Sequence, residues 1–273
     1  MKYNYYTLRT LTNLHVGSGQ NAYGIVDNVV QRDVLNNTPI IHSTSLKGAL
    51  KEWMSVGLNK KTEAQSIFGK EAETGQDNVA GTHILFTAQL LSFPMRSEKD
   101  FYQLALAPFL INEVATLVKA TEINKYNPLF DKLLSIQPSS DEPVKLNRGA
   151  AMFVEQHTIR TRPYDGNFSD DEKLLAEELF GPWDKLILMD DNTFKNCMRK
   201  LPIIARNQLD NGQSKNLFYE EVVPRETRFG FVVGQMPKAT ASFEQVVDEA
   251  KIPCQIGANA TVGYGYCALK KVN

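Results

Sequence analysis

The stretch Ile256-Gly257-Ala258-Asn259-Ala260-Thr261-Val262-Gly263-Tyr264-Gly265-Tyr266 sets the reading of this chain. Three glycines and an asparagine fall within nine residues, directly before an apolar run at 266–269. Glycine tolerates positive φ and leaves no Cβ in the way of a close visitor. A run of N–H groups in such a loop can wrap an oxyanion; the plainer alternative is a tight turn before a strand. Two other segments add weight. One is a second glycine loop, Leu14-His15-Val16-Gly17-Ser18-Gly19; the other is a helix start at Ser43-Thr44-Ser45-Leu46-Lys47-Gly48.

That helix is the clearest element in the sequence. Leu46, Ala49, Leu50, Trp53 and Met54 recur at helical spacing and form one apolar stripe. Ser43 or Thr44 is the expected N-cap. Lys47 then lies in the first turn, where a cation opposes the helix dipole. A phosphate at the helix start would reverse that penalty, because amides, dipole and ammonium would converge on one anion. On a solvated surface the lysine is merely tolerated.

Around these segments the chain has the composition of a globular protein, with 42% apolar and 22% charged residues. No apolar run approaches a membrane span, and residues 1–6 offer no signal-peptide core. Three cysteines at 197, 254 and 267 form no C-x-x-C pair, which argues against a disulfide framework or a zinc site. The expectation is a soluble, cytoplasmic protein. Net charge is −1, yet residues 165–191 hold nine acidic side chains and two lysines, leaving +6 on the rest. The acidic block reads as a solvated helical face, and a basic surface elsewhere remains open.

The order of predicted elements is strand (3–14), irregular stretch (17–39), helix, strands within 82–93, strand (102–107) and helix (108–120). Residues 121–149, with Pro128, Pro138 and Pro143, read as an insertion or long loop. A strand at 151–162 and helices at 170–180 and 193–201 follow. Asp210-Asn211-Gly212 between extended flanks marks a hairpin tip within 203–223. A strand at 227–233, a helix at 242–251 and a last strand at 262–272 complete the chain. Without insertions this is strand–helix–strand twice over, an α+β, ferredoxin-like plan in one domain spanning 1–273.

Six segments in fixed order resemble one family. They are LHVGSG (14–19), GIVDNVVQRD (24–33), STSLKGALKEW (43–53), LLSFPMRS (90–97), LFYEEVVPRETRF (217–229) and IGANATVGYG (256–265). Together they look like the backbone subunit of the type III-B CRISPR effector, the Cmr complex, within the RAMP superfamily. LLSFPMRS and the Phe-Tyr-Glu-Glu segment favour it over the sister type III-A subunit.

The resemblance implies an RRM-like palm, insertions at residues 17–40 and 121–150, and a projecting β-hairpin thumb at 203–223. It implies copies stacked head-to-tail on CRISPR guide RNA beside other Cmr subunits. Each thumb would interrupt the guide–target duplex, and the target single-stranded RNA would be cut at each interruption in a metal-dependent reaction. The family's catalytic aspartate maps to Asp27, which would also be the ligand of a Mg2+ or Mn2+ ion. RNA contacts would come from His15, Gly17, Ser18 and Arg32, from Ser45, Lys47 and Lys51 on the helix, and from Arg206 on the thumb. Gly257, Asn259, Thr261, Gly263 and Tyr264 would add those of the C-terminal loop. Two departures stand out. His42-Ser43-Thr44-Ser45 replaces the usual Pro-Gly-(Ser/Gln)-Ser, and Tyr264 stands where a basic residue is usual, as a base-stacking alternative.

The chemistry is compatible with a single carboxylate. RNA carries its own 2′-hydroxyl nucleophile, so a protein need only splay the scissile nucleotide and supply a base or an ion. Magnesium often takes one or two protein carboxylates. Asp33 is a backup for Asp27, and His15 is a candidate proton carrier. Glu220 and Glu221, adjacent on a strand, should point to opposite faces rather than form a paired-carboxylate site. His42, His83 and His157 show no metal spacing. Two rival readings stay open: a non-catalytic RNA-binding backbone, and a guide-RNA-processing enzyme working through His15.

Overall fold

The computed structural model describes residues 1–20, 26–70, 78–140, 142–147, 149–155 and 159–272. Strand β1 (Lys2–Thr10) opens the chain, followed by the short β2 (Gly17–Gln20) and β3 (Asn28–Val30). Helix α1 (Ser43–Glu52) runs into a π-turn at Trp53–Gly57 and then α2 (Lys61–Phe68). The middle of the chain holds β4 (Gln89–Ser97), β5 (Phe101–Leu106), α3 (Pro108–Ala120) and α4 (Asn127–Ser135). Next come α5 (Asp170–Phe180), β6 (Leu186–Leu188) and α6 (Asp191–Met198). A long hairpin, β7 (Ile203–Asp210) and β8 (Gln213–Glu221), precedes β9 (Arg228–Gln235), α7 (Phe243–Glu249) and β10 (Tyr266–Val272).

The large sheet places β10, β1, β9, β4 and β5 side by side, all antiparallel, with β6 parallel beyond β5. Its central strand is covered on both faces. Tyr6 and Leu8 of β1 enter one core with α1, α2, α6 and α7; Tyr5 enters a second with α3, α4 and α5. Phe231 and Val232 of β9 divide in the same way, as the period-2 alternation of a strand requires. A strand buried on both faces carries apolar residues at successive positions, as Tyr5-Tyr6 of β1 and Phe231-Val232-Val233 of β9 do.

Several sequence expectations are corrected here. The first strand ends at Thr10 rather than residue 14. The stretch 17–39 is not wholly irregular, because it contributes β2 and β3 to a small sheet ordered β7-β8-β3-β2. Residues 121–149 are not a long loop. There α4 buries Leu129, Phe130 and Leu133 in the second core, with Tyr126 just ahead of it. The prolines misled because Pro128 sits in the first turn of α4, where its missing N–H costs nothing. The strand expected at 151–162 is broken into two-residue pieces, and His157 lies outside the described residues. The N-cap of α1 is His42, and no side chain caps that terminus.

Other expectations match. α3 spans its expected residues, and the acidic block is carried largely by α5, capped reciprocally by Ser169 and Glu172. Asn211 and Gly212 take φ of 49° and 80° at the hairpin tip, the left-handed pair that a two-residue turn between twisted strands needs. Among the described residues no helix is long and apolar enough to cross a membrane.

Candidate nucleic-acid interface

Four consecutive residues at the root of the hairpin, Phe218 to Glu221, organise everything the sequence had flagged nearby. Asp27 is exposed, and it is pinned rather than loose. Its amide donates to the Tyr219 carbonyl at 3.1 Å, and its Oδ2 accepts from the Tyr219 amide at 2.8 Å. The next residue, Asn28, pairs with Glu220 where β3 meets β8 in parallel. Asp27 therefore stands at the junction of the small sheet and the projecting hairpin.

Glu220 and Glu221 are buried and face different partners, as strand alternation demands. Glu220 accepts two bonds from Asn259 Nδ2, at 2.9 and 3.0 Å, and pairs with Arg206 at 3.3 Å. Glu221 binds Arg32 at 2.6 Å and takes the Val30 amide at 3.1 Å. Arg32 also donates to the carbonyls of Asn37 and Met198. The two glutamates do not form one carboxylate pair; they tie two different loops to one strand. Their adjacency on one strand excludes a catalytic pair and carries no sign of this structural role. Two adjacent acids ahead of the apolar pair Val222-Val223, with Arg32 in one loop and Arg206 on the facing strand, were the available signal.

His15 is buried as well. Its Nδ1 lies 2.7 Å from the Glu221 carbonyl, which can only accept, so Nδ1 carries the proton. Nε2 sits 3.7 Å from the Glu220 carboxylate. A Cβ on Gly17 would lie 3.0 Å from that nitrogen, so the glycine makes room for the ring. The expectation that His15 touches RNA or relays protons therefore meets a ring turned inward on both sides. Asp33, the backup carboxylate, accepts from the amides of Leu35 and Asn36 and builds a turn.

The C-terminal loop is held by its own backbone. Ala258 donates to the His15 carbonyl, Gly265 to that of Asn13, and Val262, Gly263 and Tyr264 to carbonyls within the loop. The run of amides expected to be open is thus mostly spent on protein. Gly265 has φ +75°, and a Cβ there would stand 1.9 Å from the Ile256 carbonyl, so only glycine fits. Arg206 lies 5.6 Å from the Phe218 ring and 5.9 Å from the Tyr264 ring, linking hairpin and loop. Arg206, Asn259 and Tyr264 form one cluster. Gly257, Thr261 and Gly263 remain at its exposed edge.

A second missed residue, Gln31, joins the two N-terminal segments. Its side-chain amide donates to the Gly17 carbonyl and Ser45 Oγ, and its oxygen accepts from the His42 amide. Ser18, exposed, reaches the Val29 carbonyl at 3.3 Å. From this joint α1 projects with a groove on each flank. One, of about 580 Å³, carries Lys47, Lys51 and Lys70. The other, of about 590 Å³, is apolar, and Glu52 is its one charged lining residue among those described. Lys47 is exposed at the uncapped start of α1, with no acid in the first turn. The structure thus joins the two N-terminal segments at α1, gives that helix one cationic flank and holds Asp27 exposed at the root of the hairpin. Among the described residues no group of three or more His, Cys, Asp or Glu could hold a metal ion.

The RAMP superfamily model matches residues 7–268. The chain belongs to the RAMP superfamily. It is 26% identical over 277 residues to the CRISPR system Cmr endoribonuclease Cmr4 of Pyrococcus furiosus, covering 95% of this chain and 92% of that protein. Its fold matches a chain of the type III-B Cmr-beta complex bound to cognate target RNA, with a TM-score of 0.77, 17% identity, and 99% and 97% of the two chains covered. It also matches a chain of oligomeric Cmr4 from Pyrococcus furiosus, with a TM-score of 0.72, 22% identity, and 100% and 99% covered.

Proposed function

We propose that this RAMP protein is the RNA-binding backbone subunit of a type III-B CRISPR effector and cleaves guide-paired target RNA. The observation that carries the reading is Asp27, an exposed carboxylate locked by two hydrogen bonds to Tyr219 at the root of a projecting hairpin. The order β10-β1-β9-β4, with α1 and α7 in the crossovers, supports reading the large sheet as a ferredoxin-like, RRM-like palm. The hairpin β7–β8 then serves as the thumb. The names of the similar proteins support the rest: an endoribonuclease, an oligomer, and a complex on target RNA.

In this reading guide RNA lies along the lysine-bearing flank of α1 and over the exposed edge of the C-terminal loop. Its partners are the target RNA, further copies of the chain stacked head-to-tail, and other Cmr subunits. At the hairpin root the target strand is splayed beside Asp27. The 2′-oxygen of the scissile nucleotide attacks its own phosphorus and the 5′-oxygen leaves, while Asp27 receives or orders the 2′-hydroxyl proton. A Mg2+ or Mn2+ ion fits the donor set if Asp27 gives its one protein ligand and RNA oxygens complete the shell. The ion would supply charge stabilisation at the phosphate. Glu221, through Arg32 and Val30, holds the segment that carries Asp27.

The test uses a guide-loaded complex with end-labelled target RNA. With Mg2+ the wild type yields cuts at a regular interval, and chelator stops them. Asp27→Asn retains target binding while cleavage falls by about 10²–10⁴-fold, the usual worth of a positioned acid–base group. Unchanged cutting by Asp27→Asn would remove this assignment.

A further inference from the structure

Two arginines oppose each other on the face of the large sheet away from α1. Arg9 of β1 and Arg228 of β9 are direct partners in the antiparallel ladder. Like charges so placed cost stability. Arg9 alternates with Tyr5 along β1, so the pair lies on the side of the second core, with α5, and not on the side that packs α1. It stands at the end of that face, where the Arg9 side chain is 38% exposed.

Arg228 is the unusual member. Its Nε is buried without a hydrogen-bond partner, and among the described residues no carboxylate lies within ion-pair distance of its guanidinium. Glu226 pairs instead with Arg9, at 3.4 Å. Room for the guanidinium is built in. Gly181, just past α5, has φ +112°, and a Cβ there would stand 2.6 Å from Arg228 Nε and 3.1 Å from its Cζ. Burial first and Arg9 second lower the Arg228 pKa; Glu226 is the one carboxylate among the described residues that opposes them. A half-buried cation without a counter-charge carries an uncompensated desolvation cost. Tyr102 of β5 adjoins the pair. Burial and then Glu226 raise its phenol pKa, and Lys185 Nζ lies 4.0 Å from the centre of its ring.

We infer that Arg9 and Arg228 form a binding site for a phosphate monoester, with Lys185 at its rim. Three cations there meet one carboxylate, Glu226, an excess of two positive charges. A monoester carries a charge of about −1.5 to −2 at neutral pH and matches that excess better than the single charge of an internal phosphodiester. A guanidinium fork takes two phosphate oxygens at once, which would give Arg228 the partner it lacks. The ligand is a terminal phosphate, carried by a free nucleotide or by an RNA end. The site is separate from the cationic flank of α1 and needs neither Asp27 nor cleavage.

Arg228→Met and Arg9→Gln variants of the full chain test it, by calorimetric titration beside wild type. The probes are AMP, inorganic phosphate, adenosine, and one short RNA with either a 5′-phosphate or a 5′-hydroxyl. Wild type is expected to bind AMP and phosphate but not adenosine. Each variant should lose about tenfold or more in AMP affinity, the usual worth of a hydrogen bond to a charged group. Arg228→Met should melt no lower than wild type, because the guanidinium it removes has no partner in the free protein; a purely structural arginine would lower the melting temperature. Tighter binding of the 5′-phosphorylated RNA than of AMP assigns the site to an RNA end, and the reverse order to a free nucleotide. Wild-type AMP affinity in both variants, no binding of AMP by wild type, or a lower melting temperature for Arg228→Met overturns the inference. Equal, Arg228-dependent affinity for the two RNAs overturns it too, by giving the site to internal phosphodiesters. None of these results touches the assignment of Asp27.

Discussion

At the root of the hairpin, charges are buried and answer one another; at the start of α1, Lys47 faces outward. Glu220 and Glu221 are nearly inaccessible and engage Arg206, Asn259 and Arg32. Lys47, at an uncapped helix start, is exposed. The same residue types therefore do opposite work. Buried charges are satisfied by protein and fix geometry, whereas an exposed cation beside helix amides is left for an incoming anion.

The largest contrast should appear in stability. Glu220→Ala strips three hydrogen bonds from Asn259 and Arg206 and leaves their donors unanswered. It should cost about 2–3 kcal/mol by thermal unfolding, since a buried group that loses its partner carries the desolvation penalty. Lys47→Ala should stay within about 0.5 kcal/mol of wild type, as surface substitutions do. Equal melting temperatures for the two variants would erase the distinction drawn here.

A second comparison separates loop anchoring from RNA contact. Gly265→Ala places a Cβ against the Ile256 carbonyl at φ +75° and should lower the melting temperature, with loss of RNA affinity as a consequence. Thr261→Ala, on the exposed edge, should change affinity alone.

The smallest expected effect is acid sensitivity away from the site. Hydrogen bonds from Lys271 and then Lys2 hold the Glu244 carboxyl below its ordinary value of 4.5. Its folded value lies below the unfolded one, so its stabilising contribution is complete above the ordinary value and is lost as pH falls through the depressed one. Glu244→Gln should therefore flatten the acid limb of stability as pH falls below the ordinary carboxyl value, by less than about 1 kcal/mol, the range of a surface pair.

Much of this was legible in the sequence where local chemistry decides. The stripe of α1, the Asn211-Gly212 tip and the extent of α3 follow from periodicity and turn rules. Asp27, by contrast, came from family resemblance, because a lone aspartate before a short strand carries no local signal. What stayed hidden depends on contacts between distant segments. The α4 region reads as a proline-rich loop until Tyr126 and Phe130 are seen in the second core. His15, Arg206 and Asn259 look like ligands for RNA until Glu220, far from His15 and Asn259 in sequence, is found among them. A sequence lists donors and acceptors, and only the fold says which of them meet.

The central claim is that RNA lies on the cationic flank of α1, and salt dependence tests it most directly. Guide-RNA affinity should be measured across a salt series for wild type, for Lys47→Ala/Lys51→Ala/Lys70→Ala and for Val56→Ala/Ile252→Ala. At about 0.7 per phosphate for a single strand, the triple lysine variant should lower the log–log slope by about 2, while the apolar-flank variant leaves it unchanged. A triple variant with the wild-type slope and affinity would contradict the account.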